Sequence, residues 1–139
     1  MASRRKSRII AMQILYQMQL NEEPIRSVTN KFWMSQDISF DLRPFAIELV
    51  EGTTENLETI DAELQTTSKN WKLHRMPIVD LSILRMATYE ILFVNDIDAA
   101  TSINEAVEIA KSYSTPKSPK FINGILDNIR KRHENIPAD

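Results

Sequence analysis

The segment from Ile78 to Val94 constrains the fold more than any other part of the chain. Its apolar residues, among them Leu81, Ile83, Leu84, Met86, Ala87, Ile91 and Leu92, point nearly all round a helical wheel. A helix apolar on every side is stable only when it is buried on every side. The rest of the 139-residue chain must therefore surround it, and a chain of this length can do so in one domain without disulfides or metal. Pro77 starts this helix, and Asn95-Asp96-Ile97-Asp98 breaks it.

The periodicity elsewhere is also helical, at about 100° per residue. Ile10, Ala11, Ile14, Leu15 and Met18 share one side of a helix over residues 4–20. Pro24 opens a short second helix with Ile25, Val28 and Phe32 on its apolar face. Asp41 is placed to cap a long third helix, with Pro44 in its first turn and Phe45, Leu49, Leu57, Ile60 and Leu64 as its stripe. Gly52 falls in the middle of it, where it costs about 1 kcal/mol against alanine, so a close helix crossing is expected there. The polar run 65–70 marks an internal boundary, and 71–75 reads as a single helical turn. A further helix starts at Thr101 or Ser102, with Ile103, Ala106, Val107 and Ala110 buried. Ser118 and Pro119 read as N-cap and first residue of the last helix, which buries Ile122, Ile125, Leu126 and Ile129. No stretch alternates as a strand does. The expectation is an all-α protein, one domain over 1–139, with two three-helix halves (about 1–66 and about 71–133) packed around the central helix.

Composition removes much chemistry. The chain has no cysteine, only His74 and His133, and only Gly52 and Gly124. Disulfides, thiolate and histidine metal sites, cysteine nucleophiles and glycine-rich phosphate loops cannot be built from it. No paired carboxylates or Ser/His/Asp set emerges. No run reaches the ~18 apolar residues of a membrane span, and no apolar h-region or small-residue cleavage site follows the basic start, so a secretory signal is not expected. A cytoplasmic protein without catalytic, cofactor or metal site is expected.

Charge is distributed unevenly behind a net −2. Arg4, Arg5, Lys6 and Arg8 give residues 1–8 a charge of +4. Ten acids against three bases make 21–66 net −7, and six bases against three acids make 111–139 net +3. Ends that met in space would form a positive surface on an acidic protein, which attracts phosphate backbones. Arg5, Gln13 and Tyr16 project from one sector of the first helix, with Lys6 and Arg8 on its flanks. Guanidinium groups, an amide and an aromatic ring together suit single-stranded nucleic acid. Lys117 and Lys120 lie at the start of the last helix, where the dipole also favours anions, and Phe121 stands at the edge of its buried stripe as a candidate stacking ring. Asp80, Arg85 and Glu90 lie on the otherwise apolar central helix, and buried charges are costly unless paired. Asp80 and Arg85 point about 140° apart, so each needs a partner elsewhere, from Glu105 or from another chain.

At these residues the sequence resembles a known family. Trp71-Lys72-Leu73-His74-Arg75-Met76, Val79-Asp80-Leu81-Ser82-Ile83-Leu84-Arg85-Met86-Ala87-Thr88-Tyr89-Glu90, Ile103-Asn104-Glu105-Ala106 and Lys120-Phe121-Ile122-Asn123-Gly124 are similar, in order and spacing, to the NusB family of bacterial transcription antitermination factors. The resemblance spans essentially the whole chain, tightly over 71–127 and loosely over 21–66. It implies a fold of two three-helix bundles. It implies binding of box A, a single-stranded RNA element of ribosomal RNA operons, together with NusE, a small-subunit ribosomal protein. Loading of RNA polymerase for read-through, with NusA and NusG, is the implied outcome. Residue by residue, it assigns RNA contacts to Arg4, Arg5, Lys6, Arg8, Gln13 and Tyr16, with Lys120 and Phe121 as further contacts. It places Asp80 and Arg85 at or beside the NusE surface.

The chain departs from the family at Asp98, where a proline is usual, at Thr101, usually aliphatic, and at Lys117, where some members carry an acid. Lys117 should strengthen RNA binding if its loop lies near the phosphates. Two other readings compete. A similar domain forms part of ribosomal RNA cytosine methyltransferases, but this chain has neither a cofactor-binding domain nor a cysteine nucleophile. A protein-interaction module without sequence-selective RNA binding, including a homodimer, is the alternative.

Overall fold

The computed structural model describes residues 3–134, which form seven α-helices and two single turns of 3₁₀ helix. The α-helices are α1 (Arg4–Asn21), α2 (Ile25–Ser35), α3 (Arg43–Glu55), α4 (Leu57–Thr67), α5 (Ile78–Phe93), α6 (Ala99–Tyr113) and α7 (Ser118–Glu134). The 3₁₀ turns lie at Phe40–Leu42 and Leu73–Arg75. There is no strand among the described residues.

Helix α5 occupies the centre, as its all-round apolarity requires. It packs against α1 and α3 on one side and against α4, α6 and α7 on the other. The α1–α3 group closes on itself through α1·α2 and α1·α3 contacts, and the second group closes through α6·α7 and α4·α7. One hydrophobic cluster runs through both groups, with Ile14, Leu49, Ile60, Leu64, Ile83, Leu84, Ile122 and Leu126 fully buried.

The expected long third helix is two helices. Residues 43–55 and 57–67 are separate, broken at Asn56. The side chain of Asn56 donates to the carbonyl of Gly52 at 2.8 Å, which closes the end of α3. Helix α4 then turns to pack on α5 and α7. Asp41 does not cap α3 through its side chain; it lies inside the 3₁₀ turn that precedes the helix. Helix α6 begins at Ala99, earlier than Thr101. Ser118 is the first residue of α7, and its hydroxyl is committed to Asp80.

Gly52 does lie at a close crossing. A Cβ placed there would collide with the ring of Tyr89 on α5, whereas one at Gly124 would meet nothing within 4 Å. Gly52→Ala should therefore cost about 1–3 kcal/mol by overpacking. Gly124→Ala should instead gain about 0.5–1 kcal/mol, since the helix loses an entropically costly glycine. Urea unfolding of the two variants should move the midpoint in opposite directions.

The charges on α5 find partners within the chain. Arg85 donates to both carboxylate oxygens of Asp61, at 2.9 Å each, and to Gln19. Asp80, only 3% exposed, accepts hydrogen bonds from Ser114 and Ser118 in the α6–α7 region. Glu90, 1% exposed, receives Arg8 Nε at 2.9 Å and Arg8 Nη2 at 2.8 Å, with Ser102 completing its shell.

Candidate nucleic-acid interface

Helix α1 starts at Arg4 because Ser3 caps it, its hydroxyl accepting from the backbone N–H of Lys6. That cap presents Arg4, Arg5 and Lys6 in the first turn, all three exposed. Arg4 lies over the ring of Phe45, 4.9 Å from its centre, and reaches Asp96 at 3.7 Å. Arg5 donates to Glu105 on α6 at 2.7 Å. Its charge also reaches Glu108, whose carboxyl is held below the usual range by its hydrogen bond and attraction to Lys111, with Arg5 a smaller contribution. The basic start is thus partly neutralised by α6, since Arg5 is held by Glu105.

Arg8 corrects the reading of the sequence. It is not on the exposed flank but 2% exposed, its guanidinium enclosed by Glu90 and by Glu105 at 3.5 Å. The carboxylate on the apolar central helix demands a counter-charge, and Arg8 supplies it. Met12, one turn farther along the same side of α1, is equally buried. The apparent need of Asp80 and Arg85 for a partner chain is also corrected: Ser114, Ser118 and Asp61 satisfy them within this chain.

Farther along α1, half-buried Gln13 and Tyr16 line an open apolar groove of about 190 Å³ with Met12, Val79 and Tyr113. Next to it, across Val79–Asp80 and the loop after Tyr113, lies a second apolar hollow of about 310 Å³. Its walls are Trp71, Arg75, Met76, Pro77, Asp80, Thr115, Lys117, Ser118 and Phe121. Phe121 meets Trp71 edge to face, with ring centres 5.9 Å apart and planes at 79°. Trp71 is 57% exposed, and Lys117 and Lys120 beside it are exposed too. The buried Asp80–Ser118–Ser114 bonds fix the start of α7, and with it the position of Phe121.

Gln13 and Tyr16 thus line one groove and Lys117 and Phe121 another, and the two are neighbours through the consecutive residues Val79 and Asp80. Trp71 and Tyr113 belong to this surface and were not singled out as site residues in the sequence. Among the described residues no group of histidine and acidic side chains has the arrangement of a metal site, and no helix is long and apolar enough to cross a membrane.

Fold and surface together define an all-helical protein of two packed groups about a central helix, carrying a set of cationic and aromatic side chains. The chain belongs to the NusB family, whose family model matches residues 5–131. It is 45% identical over 129 residues to the transcription antitermination protein NusB of Trichlorobacter lovleyi, covering 93% of this chain and 91% of that protein. It is 40% identical over 131 residues to the protein of the same name from Clostridium novyi, covering 93% and 98%. Among solved structures it resembles T. maritima NusB with a TM-score of 0.83 at 35% identity, over 94% of this chain and 93% of that one. The same fold, at 24% identity and a TM-score of 0.83, occurs in a complex of antitermination factors NusB and NusE with double-stranded RNA, over 93% of this chain and 96% of that one.

Proposed function

We propose that this chain is a transcription antitermination factor. It binds single-stranded box A RNA of ribosomal RNA operons jointly with NusE and promotes read-through by RNA polymerase with NusA and NusG. The role is one of binding, not catalysis, and is exercised in the cytoplasm. The observation that carries it is a set of cationic and aromatic side chains, exposed Arg4, Arg5 and Lys6 on α1, groove-lining Gln13 and Tyr16, and Lys117, Lys120 and the Trp71–Phe121 pair about α7, in a chain related over its length to proteins of that name. The cations hold phosphates, and exposed Trp71 with half-buried Tyr16 and Phe121 offers ring faces to unpaired bases. Arg8 contributes by fixing α1 against α5 and α6, and the serine-bound Asp80 by fixing Phe121.

The test is a titration of labelled box A RNA against a scrambled RNA, with and without NusE. A variant with Arg4, Arg5 and Lys6 changed to alanine should bind more weakly, with its log–log salt slope reduced by about 0.7 for each phosphate no longer neutralised. Equal affinity for both RNAs would favour a protein-interaction role without RNA selectivity. Lys117→Asp should weaken box A binding and flatten the salt slope; unchanged affinity would remove the α6–α7 loop from the site.

A further inference from the structure

Arg5 and Arg8 stand one turn apart on α1, and Ser102 and Glu105 one turn apart on α6. They form two rungs between the helices. The inner rung is closed off: Arg8 donates to both carboxylate oxygens of Glu90 on α5, and Ser102 donates to the same carboxylate, all three side chains being buried. The outer rung reaches solvent. There Arg5 Nε donates to Glu105 at 2.7 Å, while the other oxygen of Glu105 lies 3.5 Å from Arg8 Nη1.

Two features set the outer rung apart from a surface ion pair. Exposed pairs are weak partly because two long side chains must be ordered to make them. Here the acid is ordered already, since Glu105 is only 18% exposed and sits on a helix that the inner rung ties to α1. Arg4 shows the contrast, reaching Asp96 only at 3.7 Å with both side chains exposed. The second feature is the nitrogen that is used. A guanidinium is a planar fork of N–H donors. Glu105 takes Nε, and neither Nη of Arg5 donates a hydrogen bond among the described residues. The exposed Nη end of the fork therefore keeps the donors that match two oxygens of a phosphate.

We propose that Glu105 is a positioning residue: it holds the Nε edge of Arg5 so that the Nη end is presented, already ordered, to an RNA phosphate. An arginine ordered beforehand loses less freedom on binding. The carboxylate also repels the phosphate, but at an exposed site salt screens that repulsion. The proposal rests on the reading of α1 as an RNA surface; the hold on Arg5 does not.

The experiment measures box A RNA affinity for the wild type, Glu105→Ala, Arg5→Ala and the double variant. Arg8 keeps Glu90 in all of them, so the inner rung stays intact. Glu105→Ala should raise the Kd roughly 2- to 12-fold, as for a long side chain that must be ordered on binding. Electrostatics alone predicts the opposite sign, because the variant has one negative charge less. In the Arg5→Ala background the same change should not raise the Kd. Glu108→Ala should not raise it either, since that neighbouring acid of α6 bonds Lys111 and not Arg5. Tighter binding by Glu105→Ala would mean that the acid competes with the phosphate. A loss that persists without Arg5 would mean that Glu105 only holds α1 against α6. Either result, an unchanged affinity, or an equal loss with Glu108→Ala would overturn the proposal. If the wild type binds no box A RNA, the functional reading fails, and the hold is decided by NMR of the Arg5 Nε–H group during titration with inorganic phosphate. A distinct signal that shifts with phosphate in the wild type and is lost in Glu105→Ala would support it. A signal indifferent to Glu105 or to phosphate would overturn it.

Discussion

Arg8→Ala is expected to destabilise the protein by about 3–5 kcal/mol, the cost of stranding a buried charge. That is a large fraction of the ~5–15 kcal/mol that holds a domain together. Arg8 and Glu90 are 2% and 1% exposed, and Arg8 is the basic partner of the Glu90 carboxylate. Without it, only the hydroxyl of Ser102 remains on Glu90. Urea unfolding should show a much lower midpoint with an unchanged slope. Replacing both members, as Arg8→Met with Glu90→Leu, should recover most of the loss, because a well-packed apolar pair avoids the desolvation cost of the ion pair. The same double variant separates structure from RNA recognition. If Arg8 serves to hold α1 in place, the refolded double variant binds box A RNA as the wild type does. If Arg8 touches phosphate, affinity falls even though stability is restored.

The misplacement of Arg8 shows where sequence reading stops. A basic first turn looks solvated, and the partners that bury it lie 82 and 97 residues away. The demand was legible all the same: Glu90 on a helix apolar all round had to be paired with something. For the same reason α5 itself was legible, because a helix with no polar face has one place to go. The break at Asn56 was not. Phe45, Leu49, Ile60 and Leu64 stay in helical phase across it, so periodicity sees one helix where the axis turns and α4 packs on α7. Gly52 was legible as a close crossing, but only the fold names Tyr89 as its neighbour. At the candidate site, the lysines and Phe121 stood out beside a helix start. Trp71 and Tyr113 did not, because spacing alone does not distinguish an aromatic ring on a groove wall from one in the core. Satisfaction of Asp80 by two serines of the α6–α7 region is likewise a product of folding, which brings residues 34 and 38 positions away onto one carboxylate.

Phe121→Leu should reduce box A affinity by about 5- to 150-fold, the range of one lost base–aromatic stack of ~1–3 kcal/mol. Leucine is chosen because Phe121 is half-buried and packs against the core beside Trp71; an apolar branched side chain keeps much of that packing while removing the ring face. The salt dependence supplies the second readout. Loss of a stacking ring frees no phosphate, so the log–log slope should stay as in the wild type. Lys120→Ala should do the reverse, lowering affinity modestly and the slope by about 0.7. Trp71→Leu should follow Phe121→Leu, since each ring braces the other edge to face at 5.9 Å, and the double variant should fall short of the sum of the singles because the two act as one unit. A slope that changes with Phe121→Leu would mean that the ring acts by positioning the lysines of α7. An affinity that does not change would leave the hollow between Trp71 and Phe121 outside the RNA path and confine recognition to α1.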